Sequence, residues 1–155
     1  MSLNTSKCPV SFIKRSIRMQ SLDEWNRRYC SGETAGVTKV FFPDAIAAYR
    51  IIGKIKVDRF LTQVLTGHGG FSEYLHRFKC KENPSCICDP ACSESVLHIL
   101  LDCPANDYER RKLECQMDVK LDLKSLSEIL YSKNRDLFLR FCISTCKIVN
   151  KRNRI

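Results

Sequence analysis

The sequence predicts a mostly α fold: a small helical domain interrupted by one cysteine-rich loop, with at most one short β element. Three observations predict it. In "VDRFLTQVLTG", Val57, Phe60, Leu61, Val64 and Leu65 fall at i, i+3, i+4, i+7 and i+8, one apolar face of a helix. Only "VTKVFF", Val37 to Phe42, has the β-branched and aromatic make-up of a strand. With 155 residues, 44% hydrophobic and 28% charged, the chain supplies one modest core or two small ones and lacks the signature of disorder. There are no internal repeats and no low-complexity segments.

In chain order, Phe12, Ile13, Ile17, Leu22 and Trp25 recur at loosely helical spacing among basic residues, predicting a basic helix near 11–30 that "SGETAG" breaks. After the extended stretch at Val37–Phe42, Pro43 suits the start of a helix over "DAIAAYRII", which Gly53 interrupts. The helix of "VDRFLTQVLTG" stops at Gly67, since glycine tolerates the left-handed conformation that ends helices. "FSEYLHRF" sets Phe71, Tyr74, Leu75 and Phe78 on one helical face. Beyond the cysteine-rich loop, "DYERRKLECQM" and "LKSLSEIL" read as short helices. The last helix, "RDLFLRFCISTCKIVNKRNRI", presents Leu137, Phe141, Ser144 and Ile148 on one face and ends in an acid-free basic tail.

A formal charge of +9 favours polyanionic partners such as nucleic acid, although a soluble basic domain has the same composition. The ten cysteines raise a secreted disulfide framework, but Lys14, Arg15 and Arg18 break up the apolar pieces a signal peptide would need. No apolar run approaches a membrane span of about 20 residues. The expectation is an intracellular protein, in the nucleus or cytoplasm and not in a membrane, where clustered cysteines more often bind metal than form bridges.

"CICDPACSESVLHILLDCP", Cys86 to Pro104, is such a cluster. Structural zinc takes four thiolate or imidazole ligands from two close pairs. Cys86 and Cys88 make one pair across a tight turn. His98 and Cys103 make the other: "SESVLHILLD" reads as a helix capped by Ser93 or Ser95, and Pro104 disfavours helix at Cys103, releasing it to swing back toward His98. Three thiolates and a neutral imidazole on Zn²⁺ leave a charge near −1. Cys88-x3-Cys92 is an equally plausible pair and Cys80 lies close by, so one or two of the five thiols are spectators, a role assigned to Cys80 and Cys92. Cys115, Cys142 and Cys146 read as small buried hydrophobes on helical faces.

The succession "FLTQVLTGHGGFSEYLHRF", Cys86-x-Cys88 and "SVLHILLDCP" resembles the C-terminal region of insect non-LTR retrotransposon polyproteins, especially those inserting in ribosomal DNA or telomeric repeats. The likeness is strongest over Thr62 to Pro104, and "DEWNRRYCSGETAGVTKVFFPDA" is similar to the connector before that block. The resemblance implies a zinc-knuckle-like segment with Cys86, Cys88, His98 and Cys103 as ligands. It also implies an organisation of 1–36 as a basic connector, 37–83 as a helical block with the "TGHG" motif, 84–106 as the knuckle, and 107–155 as C-terminal helices with a basic tail. The chain departs from the family at Asp89, where glycine is common, and in carrying Cys92.

The aspartate pair of a reverse transcriptase and the converging carboxylates of a nuclease have no counterpart in this sequence, so the expectation is a non-catalytic module, as a fragment or a domesticated copy. His68 and His76 lack a nucleophile or an orienting carboxylate at recognisable spacing and read as turn or structural residues. The expected partner is element RNA or target DNA, held through phosphates. Candidate contacts are Lys14, Arg15 and Arg18 on the first helix, Arg110, Arg111 and Lys112 after the loop, and Lys151, Arg152 and Arg154 in the tail. The alternative is a zinc-stabilised protein-interaction module that docks a partner through exposed apolar and aromatic faces.

Overall fold

A computed structural model describes residues 9–154; the first eight residues of the expected connector lie outside it. Among these residues eight α-helices carry the fold: α1 (Val10–Ser31), α2 (Gly36–Phe41), α3 (Ala45–Ile52), α4 (Arg59–Thr66), α5 (Ser72–Arg77), α6 (Asp107–Met117), α7 (Ser125–Leu130) and α8 (Arg135–Arg152). Among the described residues there is no strand, only an isolated antiparallel bridge between Ser85 and Ser93 at the cysteine-rich loop. Among those residues, too, no helix is long and apolar enough to cross a membrane.

α8 is the central post. It packs against α4, α6 and α7, while α2 bridges α4 and α7. Phe138 of α8 is fully buried, and its ring centroid lies 6.4 Å from that of Phe41, which is equally buried. α4 shows why these residues form a helix. The Asp58 carboxylate caps its first turn, accepting from the N–H groups of Phe60 (2.9 Å) and Leu61 (2.8 Å), which contributes about 1 kcal/mol. Its apolar face buries Leu61, Val64 and Leu65, and Gly67 closes it at φ +73°. Val57 stands before that helix and is exposed.

Four expectations need correction. "VTKVFF" is helical, because a helix turns Val37, Val40 and Phe41 to one side against the core, and strand propensity mostly scores such half-buried surroundings. On α8 the buried face runs through Phe138, Phe141, Cys142, Thr145, Cys146 and Val149, one residue round from the expected stripe; Ser144 and Ile148 are exposed. Cys142 and Cys146 are buried, and burial raises both thiol pKa values, that of Cys146 to about 11. Cys115 instead faces solvent, because the inward stripe of α6 is Arg110, Leu113 and Met117. Phe78 likewise projects outward beyond α5.

α1 is a limb rather than a core element. None of its residues is buried, and it packs on α3. Two polar contacts anchor it: the Tyr29 hydroxyl donates to the Phe42 carbonyl (2.6 Å), and Asn26 Oδ1 accepts from the Ala45 N–H (2.8 Å).

Candidate metal centre

The loop after α5 supplies the first pair of sulfurs. It folds back as a narrow hairpin closed by Cys86 N–H to the Cys92 carbonyl and by Glu94 N–H to the Pro84 carbonyl, both 2.8 Å. Asp89 stabilises the tip, its carbonyl accepting from Cys92 N–H (3.0 Å) and its carboxylate from Ala91 N–H (2.8 Å). Cys86 and Cys88 therefore leave one rigid turn with their thiols on the side facing the next segment.

The second pair comes from a widened turn. Ser95 Oγ accepts from His98 N–H (3.1 Å), a serine cap that starts the segment. From His98 to Asp102 the backbone then adopts a π-helical turn, in which Cys103 N–H reaches the His98 carbonyl five residues back (2.8 Å). Two features allow it. Pro104 holds Cys103 extended, at φ −60° and ψ 120°. The Asn106 side-chain amide takes the Ile99 carbonyl (3.1 Å), which a regular α-turn would have offered to Cys103. Val96, Ile99 and Leu100 of the same segment are buried in the core, so the turn is anchored, with Cys103 buried and His98 half-buried beside the hairpin. The wide turn thus solves the spacing problem, since five residues of α-helix would have set the two ligands on different faces.

Cys86 Sγ, Cys88 Sγ, His98 Nε2 and Cys103 Sγ converge, all within 4.8 Å of one another. Cys86 and Cys103 sulfurs lie 3.6 Å apart, and Cys88 Sγ lies 3.2 Å from His98 Nε2. A zinc tetrahedron with ordinary bond lengths has edges of about 3.8 Å between sulfurs and about 3.6 Å from sulfur to nitrogen. The donor set and its spacing therefore fit a four-coordinate metal with no place left for substrate. Cys80 and Cys92 stand outside the group. Crowding also favours a cation here. Desolvation first, then hydrogen bonding and charge interaction with Cys86 and Cys103, push the Cys88 thiol up to about 12, and burial likewise raises Cys103. A divalent ion reverses that penalty by drawing the thiols into their thiolate form.

Residues beyond the four donors hold the cluster, and they include one unexpected cation. Arg110 is buried, donates to the Cys103 carbonyl (3.2 Å) and pairs with Asp107 (2.9 Å), so its guanidinium is turned inward and presents nothing to a phosphate. Arg111 and Lys112 are exposed on α6, with Arg111 also paired to Asp107. Lys14, Arg15 and Arg18 are exposed along α1. Lys151 and Arg154 are exposed at the end of α8, whereas Arg152 pairs with Glu94. His68 stacks beside Tyr74, and His76 Nδ1 meets the Lys81 carbonyl at 3.2 Å, neither in a catalytic grouping.

Glu94 is the residue sequence reasoning missed. Its side chain is 1% exposed, and Oε1 accepts from Ser72 N–H (3.1 Å), Ser72 Oγ (2.7 Å) and the Asn153 amide, while Oε2 accepts from Arg152. Burial alone would raise its pKa, but the hydrogen bonds from Ser72, Asn153 and Arg152 outweigh it and hold the carboxyl below its usual range. One carboxylate thus ties the hairpin to the start of α5 and the end of α8. A glutamate between two serines carries no sequence signal of such burial.

No family model and no solved structure matches the chain. Among curated proteins, it is 40% identical over 84 residues to the Retrovirus-related Pol polyprotein from type-1 retrotransposable element R1 4 of Nasonia vitripennis, an overlap covering 52% of this chain and 20% of that protein. It is 31% identical over 123 residues to the corresponding R1 polyprotein of Bradysia coprophila, covering 77% of this chain and 12% of the relative. Over 101 residues it is 34% identical to the Putative 115 kDa protein in type-1 retrotransposable element R1DM of Drosophila melanogaster, covering 61% and 9%. The chain therefore spans only a minor part, 9% to 22%, of the length of the curated relatives it matches. Its homologues are the Pol polyproteins of insect R1 retrotransposable elements, at 30–40% identity over about half to three quarters of the chain.

Proposed function

We propose that this chain is a non-catalytic, nucleic-acid-binding zinc module of an R1-type polyprotein, with Cys86, Cys88, His98 and Cys103 as the ligands of one structural Zn²⁺. The observation that carries the reading is the convergence of these four donor atoms in a chain homologous to retrotransposon polyproteins. The ion would supply no chemistry to a substrate; it would lock the hairpin at Cys86–Cys88 to the π-turn at His98–Cys103. The excess of basic over acidic residues, 26 against 17, supplies the attraction for element RNA or target DNA.

Metal content of the purified chain tests the first half. About one zinc per chain is expected, lost in Cys88→Ser and kept in Cys92→Ser; equal loss in both would refute the ligand assignment. Gel retardation with RNA and DNA tests the second half: binding at low salt that weakens steeply with added salt is expected, and its absence refutes nucleic-acid recognition. A protein-interaction role has one observation in its favour, the apolar residues Val10, Phe12, Ile13 and Ile17 exposed on α1.

A further inference from the structure

α4 and the last turns of α8 face each other across an open groove. Arg59 and Phe60 stand on one side, Lys147, Lys151 and Arg154 on the other. The Phe60 ring lies between two cations, with the Arg59 guanidinium 4.6 Å and the Lys147 ammonium 5.4 Å from its centroid. Arg154 also lines a second depression, together with Lys81 and Cys80. Those two residues line a third with His76 and Lys79. Neighbouring depressions share these wall residues, so the three follow one another as a basic trough from α4 across the end of α8 to the foot of the cysteine hairpin.

Seven cations line this trough, of which Arg152 is held by Glu94, and Glu82 is the only carboxylate in its lining. Arg59, Lys147, Lys151, Arg154 and Lys79 make no ion pair with any carboxylate of the described residues. Lys81 is held in place at mid-trough, donating to Ser72 Oγ (2.7 Å) and Asn153 Oδ1 (2.9 Å). Like charges gathered along one depression repel, and a partner with regularly repeated negative charge relieves that repulsion.

The aromatic residues beside the trough point to the type of strand. Three rings form a ladder along α5 and the connection before it, next to the residues that line the trough: His68 to Tyr74 at 5.0 Å and Tyr74 to Phe78 at 4.7 Å between centroids. The Arg77 guanidinium lies 5.3 and 5.7 Å from the last two. The connection carrying His68 is bonded to the trough, since Gly70 N–H reaches Gln63 Oε1 (3.3 Å) and the Asn153 amide reaches the Gly70 carbonyl (2.9 Å). Aromatic platforms beside a basic track suit unpaired bases, whose faces a duplex hides.

We propose that this trough is the track for the backbone of a single-stranded nucleic acid, with bases stacking on the His68–Tyr74–Phe78 ladder. The proposal rests on the nucleic-acid reading above and gives it a place, on α4, α5 and α8 rather than on the hairpin itself. The hairpin's part is to hold one wall, because Glu94 at its far end binds Ser72 and Asn153, the two partners of Lys81.

Fluorescence anisotropy of the zinc-loaded full chain, with a labelled oligothymidylate about 20 nucleotides long and a hairpin duplex of the same charge, tests it. The double reversal Arg59→Glu with Lys147→Glu is expected to weaken strand binding at least about tenfold and to flatten the salt dependence by about 1.4, at about 0.7 per phosphate contact. Tyr74→Ala with Phe78→Ala is expected to weaken strand binding about tenfold and leave duplex binding unchanged. Lys14→Glu with Arg15→Glu makes the same change of net charge on α1 and is expected to cost less than about threefold. Equal losses from the two charge reversals, or tighter binding of the duplex than of the strand, overturn the trough while leaving nucleic-acid recognition standing. Wild-type protein that binds neither probe at low salt overturns both.

Discussion

Replacing Glu94 by glutamine keeps the side chain's shape and removes its charge. At neutral pH the carboxylate accepts three hydrogen bonds at Oε1 and one from Arg152 at Oε2, all at a site 1% exposed. Hydrogen bonds to an ionised acceptor contribute about 1 kcal/mol more than neutral ones, so the three at Oε1 together lose about 2–3 kcal/mol. The new amide also points a donor at the Arg152 guanidinium, whose side chain is 27% exposed and recovers part of that loss from water. Glu94→Gln should therefore destabilise the fold by about 3 kcal/mol, close to the cost of breaking a buried pair.

The pH dependence has a definite sign. The folded carboxyl titrates below its ordinary value of 4.5, so its contribution is complete above that value and is lost as pH falls through the folded pKa. The gap between wild type and variant should be widest at neutral pH and narrow progressively below pH 4.5. Urea unfolding followed by far-UV circular dichroism at a series of pH values reads this directly, and the thiols, identical in both proteins, cancel in the comparison. A gap under about 0.5 kcal/mol at neutral pH, or one that persists unchanged into acid, would refute the ionised carboxylate as the tie between the hairpin, α5 and α8.

Two further substitutions probe the supports of the fold and the metal centre. Arg110→Ala should cost about 2 kcal/mol and speed zinc release to a chelator, because it removes the charged donor to the Cys103 carbonyl and leaves that carbonyl only the Asn106 N–H (3.1 Å), whereas Arg111→Ala, exposed and sharing the same Asp107, should stay within about 0.5 kcal/mol of wild type; similar release rates would contradict the anchoring role. Gly67→Ala should cost about 2–4 kcal/mol in denaturant unfolding, since the residue sits at φ +73° and an added Cβ would meet Val37 Cγ2 at 2.8 Å, while Gly36→Ala, with open space around it, should be neutral or slightly stabilising; a neutral Gly67→Ala would mean that α2 yields freely there.

Local chemistry was legible in the sequence wherever a few adjacent residues decide the outcome. The helix of α4, its stop at Gly67 and the boundaries of α6 follow from periodicity and punctuation read over a dozen residues. The grouping of Cys86, Cys88, His98 and Cys103 was also legible, because two short ligand spacings and Pro104 constrain it. What the sequence left open depends on contacts between distant segments. "VTKVFF" is helical as far as Phe41 because the core accepts Phe41 from a helix and Phe42 from the residue that ends it, and the inward face of α8 is set by α4, α6 and α7 rather than by its own pattern.

Charge shows the same division most plainly. From composition the chain is basic, and every arginine counts alike. Only the tertiary structure separates Arg110, turned inward on the Cys103 carbonyl, and Arg152, held by Glu94, from Arg59 and Lys147, which line the trough from two helices distant in sequence. A side chain's charge is a property of its type, but whether it faces a ligand, a carbonyl or solvent is decided by which remote segment packs beside it.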